Sequence, residues 1–290
     1  MEEQGMGSTA LGAAICRLIE QYQPRQTRLF DDPVVRHLVG VPIGLMMQFG
    51  PVRYFTIKRT DSIAKGIYGE QVCRTRFIDD TVRAALSEGV EQLVILGAGF
   101  DTRPYRLLGL KPIRTFEVDL PAVQSKKKSR IQSLFGRLPE HVAFVPVDFR
   151  RQTVEGALAQ VSFAPSKPSV FVWQGVTQYL SEEAVKQTLS FVGKTALGSK
   201  VVLTYVLKNV IERRSDIPGA NKIMDAVSKR SPWMFGLEPS RIREYLGSFH
   251  LELRADVGKE HYEEEYLKPL RRHLPVFEGE RTALALVTPF

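Results

Sequence analysis

The sequence predicts an α/β fold in which a doubly wound, mostly parallel sheet of about seven strands lies under a helical cap. Three observations carry this. Leu93-Val-Ile-Leu-Gly-Ala-Gly-Phe-Asp-Thr-Arg103, followed by Thr115-Phe-Glu-Val-Asp119, reads as strand, glycine turn, helix and second strand. Further apolar runs alternate with helical stretches, the pattern of parallel strands joined by crossover helices. Two segments, about 9–60 and 208–235, have no place in that alternation. They are expected to fold over the strand ends as a cap.

Taken in order, residues 9–22 show helical periodicity, and Asp31-Asp-Pro33 starts a short helix ending near Gly40. The stretch from Gly50 to Gly69 is mixed and could carry a mobile loop, at the end of a helical cap at about 9–60. Glu70 to Ser87 then forms a long helix that carries Arg74 and Arg76, which lie about 200° apart at 100° per residue, so only one faces the cleft directly. Leu93 to Leu96 is an uninterrupted apolar run suited to a strand covered on both faces, and Gly97 and Gly99 let the backbone turn sharply beside a ligand. Asp101 or Thr102 caps the next helix, with Pro104 in its first turn. Later strands are expected at Val142–Val147, Val170–Val176, Lys200–Leu207, Leu251–Val257 and Thr282–Thr288, one of the last two running antiparallel. Helices are expected at Val154–Ala159, Ser181–Thr195 and Pro239–Leu246. All of this belongs to one domain, with a nucleotide-binding core at about 70–207, a cap insertion at 208–235 and terminal strands at about 250–290.

Composition narrows the function classes. Hydrophobic residues make up 43% and charged residues 25%, ordinary values for a globular chain. The apolar stretches near 42–49 and 169–180 fall short of the ~18 residues that span a bilayer, and the acidic start is no signal peptide. A soluble cytoplasmic protein is expected, with no membrane partner. Cys16 and Cys73 have no metal-type spacing, so no metal is expected. The net charge of +8 is scattered. Its one cluster, Lys126 to Lys128 with Arg130 and Arg137, is read as a solvated helix face, and nucleic acid is not an expected partner.

In open α/β sheets ligands sit at the carboxyl ends of the strands. The residues there are Gly97 to Asp101, Asp119, Asp148-Phe149 and Gln174-Gly175. Asp119 lies about where a nucleotide-binding unit places a carboxylate on ribose hydroxyls, which predicts an adenosine ligand. The dinucleotide fingerprint fails because Thr102 stands where its third glycine belongs, and no phosphate-binding Walker pattern is present. The remaining adenosyl ligand is S-adenosylmethionine. The competing reading of the glycine turn is a tight structural turn with Asp119 as a strand-end carboxylate.

The motifs Arg74-Thr-Arg-Phe-Ile-Asp79, Val94-Ile-Leu-Gly-Ala-Gly-Phe-Asp-Thr-Arg103, Phe116-Glu-Val-Asp119 and Gly175-Val-Thr-Gln-Tyr-Leu180 resemble the leucine carboxyl methyltransferase family over roughly residues 9–205. The general look is closest to bacterial S-adenosylmethionine-dependent O-methyltransferases assigned by sequence. The resemblance implies a Rossmann-like class I methyltransferase fold. It also implies that Arg74 binds the cofactor carboxylate, Gly97 lines its methionine arm, Asp119 holds the ribose, and Asp148 with Phe149 holds adenine. Gln174 stands where the family usually has glutamate, which keeps an acceptor and loses a charge.

The expected chemistry is methyl transfer to oxygen of a small-molecule or peptide-terminal acceptor, carboxylate or hydroxyl. A carboxylate is already ionised at neutral pH and needs alignment rather than a base. Arg76, Arg103 and Arg106 are candidates to hold it, although the last two are as readily exposed, and Tyr179 and Tyr205 could donate hydrogen bonds. A hydroxyl acceptor would need a base, for which His261 is the histidine to test. The alternative reading is a tRNA- or protein-binding module of the same fold with methyl transfer lost or secondary. Oligomeric state is left open.

Overall fold

The computed structural model describes residues 2–107, 113–228 and 231–289, with side chains from Thr9 onward. The connection expected between Leu107 and Thr115 lies largely outside the described residues. Seven strands form one sheet: β1 (Gln92–Leu96), β2 (Arg114–Asp119), β3 (Val142–Pro146), β4 (Ser169–Trp173), β5 (Lys200–Val206), β6 (Leu251–Val257) and β7 (Glu280–Val287). Their order is β3-β2-β1-β4-β5-β7-β6. The first five are parallel, and β7 runs antiparallel to both β5 and β6. The order reverses between β1 and β4, which opens a crevice at the strand ends there.

Successive side chains of a strand point to opposite faces, and both faces are covered. Leu93 and Ile95 enter one core with Ile78 and Val82, while Val94 and Leu96 enter the other with Val185 and Leu189. This is why the strands read as unbroken apolar runs rather than alternating ones.

The helices are α1 (Glu2–Glu20), α2 (Val35–Leu38), α3 (Val41–Met46), α4 (Gly50–Ile63), α5 (Ile67–Ser87), α6 (Arg103–Arg106), α7 (Pro121–Phe135), α8 (Val154–Leu158), α9 (Glu182–Gly193), α10 (Lys208–Ile211), α11 (Ala220–Ser228), α12 (Ile242–Gly247) and α13 (Lys259–Tyr262). The stretch from Gly50 to Gly69, which could have carried a mobile loop, is mostly the helix α4, which runs from Gly50 with Pro51 in its first turn. It buries none of its residues and leaves Tyr54 and Phe55 exposed, so it lacks the apolar stripe by which a helix is recognised in sequence.

The basic cluster on α7 is also not a uniformly solvated face. Lys127 is buried and pairs with buried Glu117 at 2.8 Å, while Lys126 and Lys128 flank it. An ion pair of this kind is invisible to a local count of charges. Among the described residues no helix is long and apolar enough to cross a membrane. Cys16 and Cys73 are both buried and free, and burial pushes the Cys16 thiol up to about 12.

Candidate active site

A cavity of about 340 Å³ lies at the carboxyl ends of β1 to β4, bordered by α1, the start of α5, α11 and Trp233. Gly97, Gly99, Asp119, Asp148, Phe149, Gln174, Arg74 and Tyr179 all line it. Eight of the ten residues singled out in the sequence therefore meet in one place. The expected cover segments also border it, through Thr9, Ala10, Ala13 and Arg17 on one side and Ile223, Ala226, Val227 and Trp233 on the other.

The glycine turn has the form that a close backbone approach requires. Gly97 has φ +69° and Gly99 φ +42°, a region that disfavours side chains, and a Cβ on Gly97 would lie 2.2 Å from the Val176 side chain. Asp119 at the end of β2 accepts hydrogen bonds from the Gly99 and Leu120 backbone N–H groups, which ties the second strand to the glycine turn. Burial raises its carboxyl above the usual range, against those two N–H groups, which lower it. Asp148 is held by Arg150 through the guanidinium and the backbone N–H at 3.1 Å each. Those contacts keep its carboxyl low despite some burial.

Arg74 is buried in the middle of α5. Its Nη1 meets Glu280 of β7 and, at 3.3 Å, Glu70 one helical turn back, while Nη2 donates to Gln71 at 2.9 Å. Nε is buried without a partner, and Nη2 lies 3.4 Å from where Gly175 would carry a Cβ. Nε is thus the donor of Arg74 still to be satisfied, on the Nε/Nη2 edge that forms the natural fork for a carboxylate and whose Nη2 adjoins the strand-end rim. An S-adenosyl ligand fits this set: glycines without Cβ atoms, a strand-end carboxylate and a guanidinium edge with an orphaned donor. Arg74 would hold the ligand's carboxylate, Asp119 its ribose, and Asp148 with Phe149 its adenine.

Two singled-out residues are not brought to the cavity. Arg76 points about half a turn away from Arg74, donating to Asp80 at 2.7 Å and to the Leu29 carbonyl at 2.7 Å, with its guanidinium 5.4 Å from the Tyr266 ring. Tyr205 faces the core on the other side of β5, where its hydroxyl donates to Asp256 at 3.0 Å. The side-chain alternation of a strand decides this, since a residue near a strand end is at the rim only on one face. Arg103 and Arg106 are not exposed. Arg103 is buried among Asp79, Asp101 and Gln174, and Arg106 donates to Asp79 at 2.6 and 2.9 Å. Thr102 occupies the N-cap of α6 without a side-chain cap, and Asp101 before it accepts from the Arg103 N–H at 2.8 Å. His261 is edge-on to Phe77 and Tyr266 and does not line the cavity. Gln174 accepts from Arg103 at 2.9 Å, so its carbonyl is directed into the ion-pair web.

Sequence reasoning missed Glu70, Glu280, Gln178, Trp233 and Phe277, all of which line the cavity. Glu70 carried a usable signal in its four-residue spacing from Arg74. Glu280 stands 206 positions from Arg74 and offered none.

The sheet order, the strand-end rim and the glycine turn define a class I methyltransferase, a class built to hold S-adenosylmethionine. The chain belongs to the leucine carboxyl methyltransferase family, whose model matches residues 10–193. It is 33% identical to a Streptomyces avermitilis protein over 73% of this chain and 74% of that one, and 32% identical to a Streptomyces coelicolor protein over 76% and 77%. Both relatives bear the name "putative S-adenosyl-L-methionine-dependent methyltransferase". Among solved structures, one from Thermobifida fusca, described as a "putative methyltransferase", superposes with a TM-score of 0.61 at 18% identity, covering 88% of this chain and 94% of that one, which supports the fold. The protein is an S-adenosylmethionine-dependent methyltransferase of this family.

Proposed function

We propose that the protein transfers a methyl group from S-adenosylmethionine to an oxygen, carboxylate or hydroxyl, of a small-molecule or peptide-terminal acceptor in the cytoplasm. The observation that carries this reading is a single covered cavity that joins strand-end residues to residues of the cover. Gly97, Asp119 and Asp148 line it from the ends of β1 to β3, and Tyr179, Ile223, Trp233 and Phe277 also line it. The sulfonium of the bound cofactor supplies an activated methyl. What the chain must do is seat the acceptor oxygen about 3–3.5 Å from that methyl, in line with the departing sulfur, and exclude water.

Tyr179, which lines the cavity, is our candidate for the first task. Its ring stands edge-on to Trp233 at 6.4 Å, and burial pushes its hydroxyl up, so it stays a hydrogen-bond donor at neutral pH. The cavity is too small for a folded macromolecule, which favours a small molecule or a chain terminus over a tRNA- or protein-binding module.

Mass spectrometry of a cell extract incubated with the protein and deuteromethyl-labelled cofactor tests the reading. A labelled ester or ether is expected. Label on nitrogen or carbon would refute transfer to oxygen, and absence of labelled product together with RNA binding that weakens steeply with salt would favour the binding module.

A further inference from the structure

The exposed apolar surface of the molecule is concentrated on one corner. Among the described residues ten large apolar side chains are exposed, and seven of them fall between Val41 and Ile63, in α3, α4 and the turn that joins them. Leu45, Met46 and Phe49 lead into α4, and Tyr54 and Phe55 follow in its second turn, each more than half exposed. Arg53 fixes the corner by donating to the Met47 and Gln48 carbonyls at 2.7 and 2.8 Å, with its guanidinium 4.4 Å from the Tyr22 ring. The exposed positions of α4 recur as Pro51, Tyr54, Phe55, Lys58, Arg59 and Ser62, which at 100° per residue is a single face. The helix buries none of its residues, so this face forms a ridge rather than a groove.

Charge says what covers it. From Pro33 to Thr60 the chain has no Asp or Glu and carries Arg36, Arg53, Lys58 and Arg59. Asp61, the first acid after them, accepts from the Gly66 N–H at 3.1 Å. A second copy related by a two-fold axis would press one cationic patch onto another. A folded protein partner would have to supply a groove shaped to the ridge, whereas fluid lipid closes around it and, if anionic, complements its charge.

We propose that the α3–α4 corner docks the protein on an anionic lipid surface. Leu45, Met46, Phe49 and Phe55 enter the acyl boundary, and Lys58 and Arg59 meet the headgroup phosphates. One turn separates the Tyr54–Phe55 pair from Lys58–Arg59, about 6 Å along the axis, which matches the roughly 5–10 Å depth to which interfacial helices bury their apolar side chains. Aromatics and cations share one face at successive turns, so α4 enters with its N-terminal end first rather than lying flat. This is docking and not crossing, because among the described residues no helix is long and apolar enough to cross a membrane. The expectation of no membrane partner came from the lengths of apolar runs, a criterion that registers spanning helices and not interfacial ones.

Flotation of the full chain with vesicles of phosphatidylcholine and phosphatidylglycerol in equal amounts, against vesicles of phosphatidylcholine alone, tests the proposal. Binding is expected to the mixed vesicles and not to phosphatidylcholine, and it should weaken as salt rises. Phe49→Ser with Phe55→Ser, which keeps the charge, should cut binding about tenfold or more by withdrawing two large side chains from the apolar layer. Lys58→Glu with Arg59→Glu should also cut it about tenfold or more, while Lys126→Glu with Arg137→Glu, an equal charge change on and just after α7, should leave it within about twofold. None of these residues lines the cavity, so S-adenosylhomocysteine affinity and the thermal midpoint should be unchanged, which separates lost docking from lost folding. No binding to the mixed vesicles, equal binding to both kinds, or equal losses in the two charge variants would each overturn the proposal. A dimer of the lipid-free protein that Phe49→Ser with Phe55→Ser dissociates would assign the corner to a second copy and equally overturn it. Binding of polyglutamate in place of the mixed vesicles, lost in the same variant, would assign it to an acidic protein instead.

Discussion

Asp119 has two tasks that pull in the same direction: its carboxylate accepts from the Gly99 and Leu120 N–H groups, and it lines the cavity where a ribose would lie. Asp119→Ala is expected to weaken S-adenosylhomocysteine binding by about 1.5–3 kcal/mol, the scale for a lost charge-assisted hydrogen bond. Calorimetric titration checks this, and an unchanged affinity would remove Asp119 from the site. At Gly97 the argument is steric. With φ +69° and Val176 2.2 Å from a Cβ, Gly97→Ala combines a strained backbone of roughly 1–2 kcal/mol with a clash. Val176→Ala should relieve only the clash, so the double variant should regain part of the lost denaturation midpoint.

At the scale of elements, the turn from β1 into α6 is held to α5 by buried charge. Asp79, fully buried, accepts from Arg103 at 2.8 Å and from Arg106, and Arg106 also lies 3.6 Å from Asp32. Replacing such a pair by apolar groups can cost little, but removing one partner strands the other. Asp79→Ala should therefore cost about 3–5 kcal/mol in urea unfolding. Asp101 gives the same web a pH dependence. Burial alone would raise its carboxyl, but Arg103, Lys127 and Arg17 outweigh it and hold it at about 2. The folded value is below the unfolded one, so this stabilisation is present above about pH 4 and is lost as pH falls toward 2. Asp101→Asn should be less stable than the parent by about 2 kcal/mol at pH 6, with the gap closing as the pH is lowered. A gap that stays constant with pH would show that the charge is not responsible.

For the whole molecule, the cavity joins four strand ends to cover residues far apart in the chain, α1 on one side and α11, Trp233 and Phe277 on the other. A ligand that bridges them should stabilise the entire fold. S-adenosylhomocysteine at about 100 times its dissociation constant should add roughly 2.7 kcal/mol and raise the thermal midpoint, whereas NAD should not. Equal shifts from both ligands would contradict the reading of the glycine turn.

The sheet was legible in the sequence because its strands are covered on both faces and so appear as uninterrupted apolar runs, with glycine, aspartate or proline marking their ends. The cofactor rim was legible for the same reason, since a strand end can be located by counting. Gly97, Asp119, Asp148 and Gln174 all fall where the counting put them. The helix α4 was not legible because it buries nothing, and Lys127 was misread because its partner Glu117 lies on another element. Local spacing fixes which residues share a face of one helix or one strand. It cannot tell which side of the sheet a strand-end tyrosine faces, and so Tyr179 meets the cavity while Tyr205 meets Asp256. Only tertiary packing brought Glu280 to Arg74 across 206 positions and converted a free guanidinium into a clamped one. Electrostatics depends on distance in space rather than along the chain. The charge balance around Arg74 was therefore decided by the fold.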